Sequence, residues 1–232
     1  MGYSPVLGAF TAAFELIAAC WVFWALRSRG RRNVLMLIGF TLLLLAGYQI
    51  LEVAICWKTS EPSLFLSRMA FLDITWLPPV SLLLISRIVT PRSRTLVRYA
   101  HFSLFLGALM SLWIVMDYRF ITGTICEFMY ARYGYMEPYF HIYGAFYEIT
   151  QMSMIFIPAA IISRSDQLRV RQDLGDLLLG SLLFIIPSLF LAALRPVMFQ
   201  DGLPSLMCHF ALFYALFLVR MARRDLAHAD YR

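Results

Sequence analysis

Seven apolar stretches, each close to the length of a membrane-spanning helix, constrain this chain more than any other feature. Hydrophobic residues make up 61% of the 232 residues and charged residues 15%, whereas soluble chains have roughly 45–50% and 25%. A globule of this size cannot bury so much apolar surface, so lipid must be its solvent. We predict an all-α integral membrane protein with a single seven-helix transmembrane domain covering residues 1–232. The predicted spans are 5–26, 33–55, 64–88, 97–116, 138–162, 174–198 and 204–222.

The basic residues are distributed unevenly between the two predicted faces of the membrane. Fifteen of the 20 lie on one side, and the exceptions are Lys58, Arg68, Arg119, Arg132 and Arg195. The positive-inside rule then places the N-terminus outside and the C-terminus in the cytoplasm of a bacterial-type inner membrane. The formal net charge of +6 is therefore a topology signal, and membrane lipids are the expected partner. A nucleic-acid partner is not expected, because the arginines are scattered over short segments.

The one long connection, 117–137, is predicted to lie outside. Its many aromatic residues suit either an aromatic belt at the headgroup level or a lid over an outward-facing pocket. Cys56 and Cys126 both face the oxidising side and are predicted to form a disulfide, with Cys208 as the competing partner. Cys20 is expected to be a small buried thiol.

Ionisable side chains inside the predicted spans are the main indication of a functional site, because such groups are costly in lipid. They are Glu15, Glu52, Asp73, His141, Glu148 and His209, all in the predicted outer half of the membrane. Helical spacing adds polar neighbours: His141, Gly144, Glu148 and Gln151 form one predicted stripe, Gln49 precedes Glu52 by three residues, and Trp76 follows Asp73 by three. The pair Pro78-Pro79 should bend the third helix, and Arg195 is a candidate counter-charge. We predict an outward-opening, carboxylate- and His-lined cavity whose ligand-binding residues are Glu15, Gln49, Glu52, Asp73, Trp76, His141, Glu148, Gln151, Arg195 and His209.

Each of these residues also has a structural interpretation. The two histidines can bind headgroups at the membrane surface, and Glu52 can pair with Lys58 or Arg68. Glu15, Asp73 and Glu148 can join helices through hydrogen bonds between neutral carboxyls.

Several chemistries fit the candidate residues. His141, Glu148 and His209 are ligand types for a divalent metal, and the cofactor is otherwise unknown. Bis-histidine haem would need His141 and His209 and is not expected. Retinal is excluded, since the only lysine, Lys58, lies in a loop. If the protein is an enzyme, Glu52, Asp73 and Glu148 are its candidate catalytic acids and bases.

Two motifs suggest a family. They are Leu66-Ser67-Arg68-Met69-Ala70-Phe71-Leu72-Asp73-Ile74-Thr75-Trp76-Leu77-Pro78-Pro79, and Tyr48-Gln49-Ile50-Leu51-Glu52 followed by Cys56. With the seven-helix layout, the first resembles the 7TM sensor regions of bacterial histidine kinases, and the second resembles uncharacterised bacterial membrane proteins of about this length. The motifs cover about a fifth of the chain. The resemblance implies a sensor, but no output domain follows Arg224, so a separate signalling partner is expected.

The leading functional prediction is therefore a ligand-binding or sensory membrane protein without an output domain of its own. The main alternative is an intramembrane enzyme acting on a lipid or isoprenoid. A proton-coupled transporter and an assembly subunit of a membrane complex stay open as further alternatives.

Overall fold

The computed structural model describes residues 5–26, 31–57, 63–91, 93–127, 130–194 and 203–230. The helices, in chain order, are α1 (Val6–Ala25), α2 (Arg32–Cys56), α3 (Leu64–Thr75), α4 (Leu77–Ile88), α5 (Arg94–Met116), α6 (Glu137–Ile162), α7 (Leu168–Leu194), α8 (Leu203–His209) and α9 (Ala211–Asp230). A 3-10 turn (Tyr118–Phe120) and two antiparallel strands, β1 (Gly123–Cys126) and β2 (Ala131–Gly134), lie between α5 and α6.

Six segments of the described chain are long and apolar enough to cross a membrane, as expected of an all-α membrane protein. They are α1, α2, α3 together with α4, α5, α6 and residues Leu168–Leu191 of α7, and they overlap the first six predicted spans. The seventh, 204–222, does not form one continuous helix, because the chain turns at Phe210 between α8 and α9. α9 also carries Arg220, Arg223, Arg224 and Asp225, which lower its hydropathy.

The third span is bent, as its proline pair predicts. The helix is interrupted at Trp76, and Pro78 and Pro79 occupy the first turn of α4. Proline has no N–H, so the usual helical donors are missing at these two positions. The Trp76 N–H bonds to the Asp73 carbonyl at 3.2 Å, and the Trp76 carbonyl accepts from Val80 at 3.0 Å. The bend therefore begins directly after the carboxyl of Asp73.

Buried apolar side chains form two clusters. The larger one joins α1, α2, α4, α7 and α9 through residues such as Leu35, Ile38, Leu82 and Phe184. The smaller one is aromatic and includes Tyr48, Phe71, Phe120, Tyr133 and Tyr143. The Phe71 ring meets Phe120, Tyr133 and Tyr143 edge-on, with centroid distances of 5.8, 5.0 and 5.7 Å. This is a geometry that aromatic quadrupoles prefer.

The connection predicted as a lid folds into a β-hairpin that packs on this aromatic cluster. The predicted disulfide, Cys56–Cys126, is present and joins the hairpin to the end of α2. Two further bonds attach the hairpin to the bundle. The Ser67 and Thr124 hydroxyls lie 2.8 Å apart, and the Ala131 N–H donates to Ser205 Oγ at 2.9 Å. We call this part of the bundle the disulfide end.

An aspartate at the end of α5 fixes the start of the same connection. The backbone N–H of Arg119 donates to Asp117 at 3.0 Å, its guanidinium adds bonds of 3.1 and 3.2 Å, and the Tyr139 hydroxyl donates as well. These donors hold the pKa of Asp117 well below its usual range. The 3-10 turn is thereby tied to the first turn of α6.

One side of α1 is not covered by any other described part of the chain. Cys20, expected to be buried, is exposed, and so are Ile17 and Trp24, three residues before it and four after it. That spacing places all three on one helical face. In a membrane protein such a face contacts lipid, where a small apolar thiol is well tolerated.

At the opposite end of α2, arginines and aspartates alternate in a chain of ion pairs. The order is Arg169–Asp225–Arg31–Asp173–Arg224–Asp176–Arg220. The three carboxylates are only 2–4% exposed, and each has two arginine partners, which offset its desolvation. Four of the arginines predicted as a topology signal thus also hold the start of α2 against α7 and α9. We call this part the arginine end.

Candidate functional site

Glu15 lies in the middle of α1 on the face that packs against α2. Thr11, Ala12, Ala18 and Ala19 share this face at helical spacing and are buried with it. Glu15 is 0% exposed, and neither carboxyl oxygen has a hydrogen-bond partner among the residues that the structure describes. Buried polar atoms without a partner are rare in proteins, and each one requires a physical explanation.

Gln49 and Glu52 are buried on α2, one turn apart. The side-chain amide of Gln49 donates to the backbone carbonyl of Cys208 in α8. One residue earlier, the Tyr48 hydroxyl lies 3.2 Å from the hydroxyl of Tyr133 in the hairpin. This turn of α2 therefore links α8 to the hairpin that covers the disulfide end.

Asp73 projects from the last turn of α3 against the backbone of α2. A Cβ added to Gly47 would lie 2.7 Å from Asp73 Oδ1, so only a glycine allows this approach. The backbone N–H of Tyr48 is a hydrogen-bond partner of the carboxyl, while Asp73 Oδ2 is buried and has no partner within the described part of the chain. The bend at Trp76 and the absence of a side chain at Gly47 together allow this carboxyl to lie inside the bundle.

Carboxyls of α1, α2 and α3 lie in the neighbourhood of Cys208. The Cys208 thiol is buried, and Glu15, Glu52 and Asp73 all lie within electrostatic range of it. Three helices that are separate in the sequence thus each place a carboxyl near Cys208 of α8. We call Glu15, Glu52, Asp73 and Cys208 the carboxyl site.

The predicted polar stripe on α6 divides between two faces. Gln151 is buried and its amide nitrogen lies 3.6 Å from Met207 Sδ, while Glu148 is half-buried and His141 is exposed. At about 100° per residue, ten positions leave Gln151 roughly 80° away from His141 around the helix. Tyr147, which was not predicted, lies within electrostatic range of Asp73, Glu148 and Cys208.

The other predicted residues are not part of the carboxyl site as defined above, or they lie outside the described chain. His209 is half-buried, and its Nδ1 lies 2.9 Å from the Ser205 carbonyl of its own helix. Trp76 is half-buried at the bend between α3 and α4. Arg68 donates to the Tyr118 carbonyl at 2.5 Å. Lys58 and Arg195 lie outside the described residues.

The structure does not assemble the predicted metal site. Within the described ranges, no three His, Cys, Asp or Glu side chains are arranged to hold a metal ion. His141 is exposed on the first turns of α6, whereas His209 is bonded to its own helix. His141, Glu148 and His209 therefore do not form a common coordination sphere.

The carboxyl site contains more hydrogen-bond acceptors than donors. In the part of the chain that the structure describes, neither Glu15 nor Asp73 forms an ion pair with a lysine or arginine, and three of their four oxygens are buried without a partner. The arginine end differs sharply, since each of its buried aspartates is paired twice. Chemically, the carboxyl site can accept hydrogen bonds or a positive charge from a further group.

Two contributors to the site were not predicted from the sequence. Gly47 directly precedes Tyr48, and its role appears only when α3 is placed beside it. Cys208 was considered only as a disulfide partner, although its place directly before His209 was a usable signal. A role for either residue depends on contacts between helices far apart in the chain.

The fold and the site define a class: an all-α, multipass membrane protein with a buried carboxyl site and a disulfide-bonded hairpin. Comparisons with protein-family models, with curated protein sequences and with solved structures give no match. The resemblance to 7TM sensor regions accordingly stays a prediction.

Proposed function

We propose that this protein is a ligand-binding membrane protein of the sensory type, and that its ligand occupies the carboxyl site. Glu15 is the observation that carries this proposal. Its carboxyl is completely buried, and both oxygens have no hydrogen-bond partner among the described residues. Leaving a buried polar group unsatisfied costs a few kcal/mol. A bound ligand with N–H donors would remove that cost, which couples binding to the stability of the bundle.

The chemistry of the site favours a small ammonium-type ligand. Glu15, Glu52 and Asp73 supply acceptors around Cys208, and a protonated amine supplies three donors and a positive charge. The surroundings are aromatic, since Tyr143 and Tyr147 stack with ring centroids 5.9 Å apart. Such rings attract cations through their π faces.

Thermal unfolding of the purified protein in the presence of simple cations tests this proposal. Ammonium and methylammonium chloride are the probes, and tetramethylammonium chloride, which has no N–H donor, is the matched probe control at equal ionic strength. At ten times its Kd, a bound probe should stabilise the parent by about 1.4 kcal/mol.

Glu15→Gln should abolish the stabilisation, whereas Glu137→Gln should keep it, because Glu137 is an exposed glutamate at the start of α6. Equal stabilisation of both variants, or none in the parent, would contradict the proposal.

We further propose that α8 and α9 together form a seventh span in a bacterial-type inner membrane, with the N-terminus outside and the arginine end in the cytoplasm. The arginines at one end and the disulfide at the other support this orientation. Single cysteines at the exposed positions Thr122 and Ser163 provide the test. In intact cells a membrane-impermeant maleimide should label Thr122→Cys, and it should label Ser163→Cys only after lysis. The reverse pattern would overturn the orientation.

An intramembrane enzyme acting on a lipid or isoprenoid is the second candidate. The observation that favours it is Tyr147, which lies within electrostatic range of both Asp73 and Glu148. Two carboxyls beside a phenol are suited to proton transfer in a dry pocket. If this candidate is correct, Glu148→Gln should eliminate turnover and leave the unfolding midpoint unchanged, whereas binding of methylammonium should be unaffected.

A further inference from the structure

A groove at the arginine end is separate from the carboxyl site. It has a volume of about 430 Å³ and lies where the end of α4, the end of α6 and the start of α7 meet. The opposite end of α4 begins next to Asp73, so the full length of α4 separates the two sites. The proposed function does not involve this groove.

One side of the groove is apolar and continues onto a surface suited to lipid. Val89, Ile161 and Val170 form part of its wall. Phe156 lies one helical turn before Ala160 of the groove wall and is 67% exposed. In a membrane protein such an exposed side chain contacts acyl chains, so this side of the groove adjoins the lipid phase.

The other side of the groove is polar and has an arginine available for an anion. The Thr90 hydroxyl donates to Gln167 Oε1 at 2.8 Å across the groove. Arg164 is exposed, and its guanidinium forms no ion pair with any described residue. Arg169, in the first turn of α7, is instead bound to Asp225. Among the described residues, Arg164 is therefore the cation that faces the groove, with Asp166 as the opposing charge on its rim.

The geometry points to a binding site for an anionic phospholipid, whose phosphodiester binds Arg164 and whose acyl chain lies along Val89, Ile161 and Val170. The amphipathic lining matches such a ligand, since a guanidinium bonds phosphate oxygens in pairs. Basic pockets between helices at one face of a membrane are suited to anionic headgroups. The segments that form the groove also carry Arg87 and Arg171, which raise the local concentration of anionic lipid.

Retention of lipid by the purified full chain, followed by native mass spectrometry, tests this site. The probes are dioleoyl phosphatidylglycerol and dioleoyl phosphatidylcholine, which differ only in headgroup. The parent should retain phosphatidylglycerol preferentially, and Arg164→Gln should weaken that retention about tenfold. Arg98→Gln is the matched control, because Arg98 is exposed on α5 and does not line the groove.

Two further variants examine the two sides of the groove separately. Asp166→Asn removes the opposing carboxylate and should strengthen retention of phosphatidylglycerol. Ala160→Trp fills the apolar side and should displace both lipids without changing the unfolding midpoint, since Ala160 is exposed.

Equal losses in Arg164→Gln and Arg98→Gln would show attraction by surface charge alone and overturn the proposal. Equal retention of the two lipids by the parent would overturn it as well. Displacement of phosphatidylglycerol by millimolar inorganic phosphate would instead identify a site for free phosphate, which also contradicts the proposal.

Discussion

Arg31 binds Asp225 twice, through its backbone N–H at 2.8 Å and through its Nε at 2.6 Å. The same guanidinium reaches Asp173 at 2.5 Å. One residue at the start of α2 thereby holds two helices, α7 and α9, that follow more than a hundred residues later. Such a contact between distant segments restricts the motion of α9. It also holds α2, α7 and α9 together at the arginine end.

Removing one member of this pair should destabilise the protein severely. Asp225→Asn leaves Arg31 and Arg169 without their shared carboxylate, and breaking a buried ion pair costs about 3–5 kcal/mol. Chemical unfolding in detergent measures the loss. Arg32→Gln is the control, because Arg32 is exposed and forms no ion pair with a described residue, and it should change stability by less than about 0.5 kcal/mol. Equal stability of the two variants would refute the importance of the ion-pair chain.

The Cys56–Cys126 bond should stabilise the attachment of the hairpin to the end of α2. It links residues 70 positions apart in the sequence, and loss of a native disulfide typically costs about 2–5 kcal/mol. The variant in which both cysteines are serine should therefore unfold at a lower temperature. In denaturant, a thiol reagent should label two cysteines of the parent before reduction and four after it, since Cys20 and Cys208 are free. Four labels before reduction would show that the bond does not form.

The spans could be predicted because hydropathy and helix length are local properties of the chain. The bend in the third span was predictable for the same reason, since Pro78 and Pro79 cannot donate hydrogen bonds. The hairpin was not predicted. Its strands have four residues each, and the contacts that hold them come from Cys56, Ser67 and Ser205, which are remote in sequence.

The candidate site was predicted in part. Spacing indicated that Gln49 and Glu52 share a face, and both are buried. Spacing does not place His141 on the same face as Gln151, contrary to the predicted stripe, because residues ten positions apart point in directions about 80° apart around the helix. The pairing of Asp173, Asp176 and Asp225 with arginines depends on how α7 and α9 pack, which no local pattern in the sequence encodes.

Gly47 should be intolerant of any side chain. Gly47→Ala places a methyl group 2.7 Å from Asp73 Oδ1, and overpacking of this kind costs about 1–3 kcal/mol. Gly144→Ala is the matched control in α6, since nothing lies within 4 Å of its added Cβ, and it should stabilise by up to about 1 kcal/mol. The unfolding free energies of the two variants should therefore change in opposite directions.

The cause of that effect can be isolated with a second substitution. Combining Gly47→Ala with Asp73→Ala removes the carboxyl that the new methyl group meets, so the two changes should not be additive. A double variant that loses the full sum of the single losses would show that Asp73 is not the obstacle.

Glu15 should reduce stability in the absence of ligand. Leaving a buried polar group without a partner costs about 1–3 kcal/mol, and Glu15 has neither donor nor counter-charge among the described residues. Glu15→Leu should therefore raise the unfolding midpoint of the free protein while eliminating stabilisation by methylammonium. Ala12→Leu, on the same face of α1, is the control for volume and should lower the midpoint through overpacking. If Glu15→Leu lowered the midpoint by as much as Ala12→Leu, the carboxyl would be a structural group and not one kept for binding.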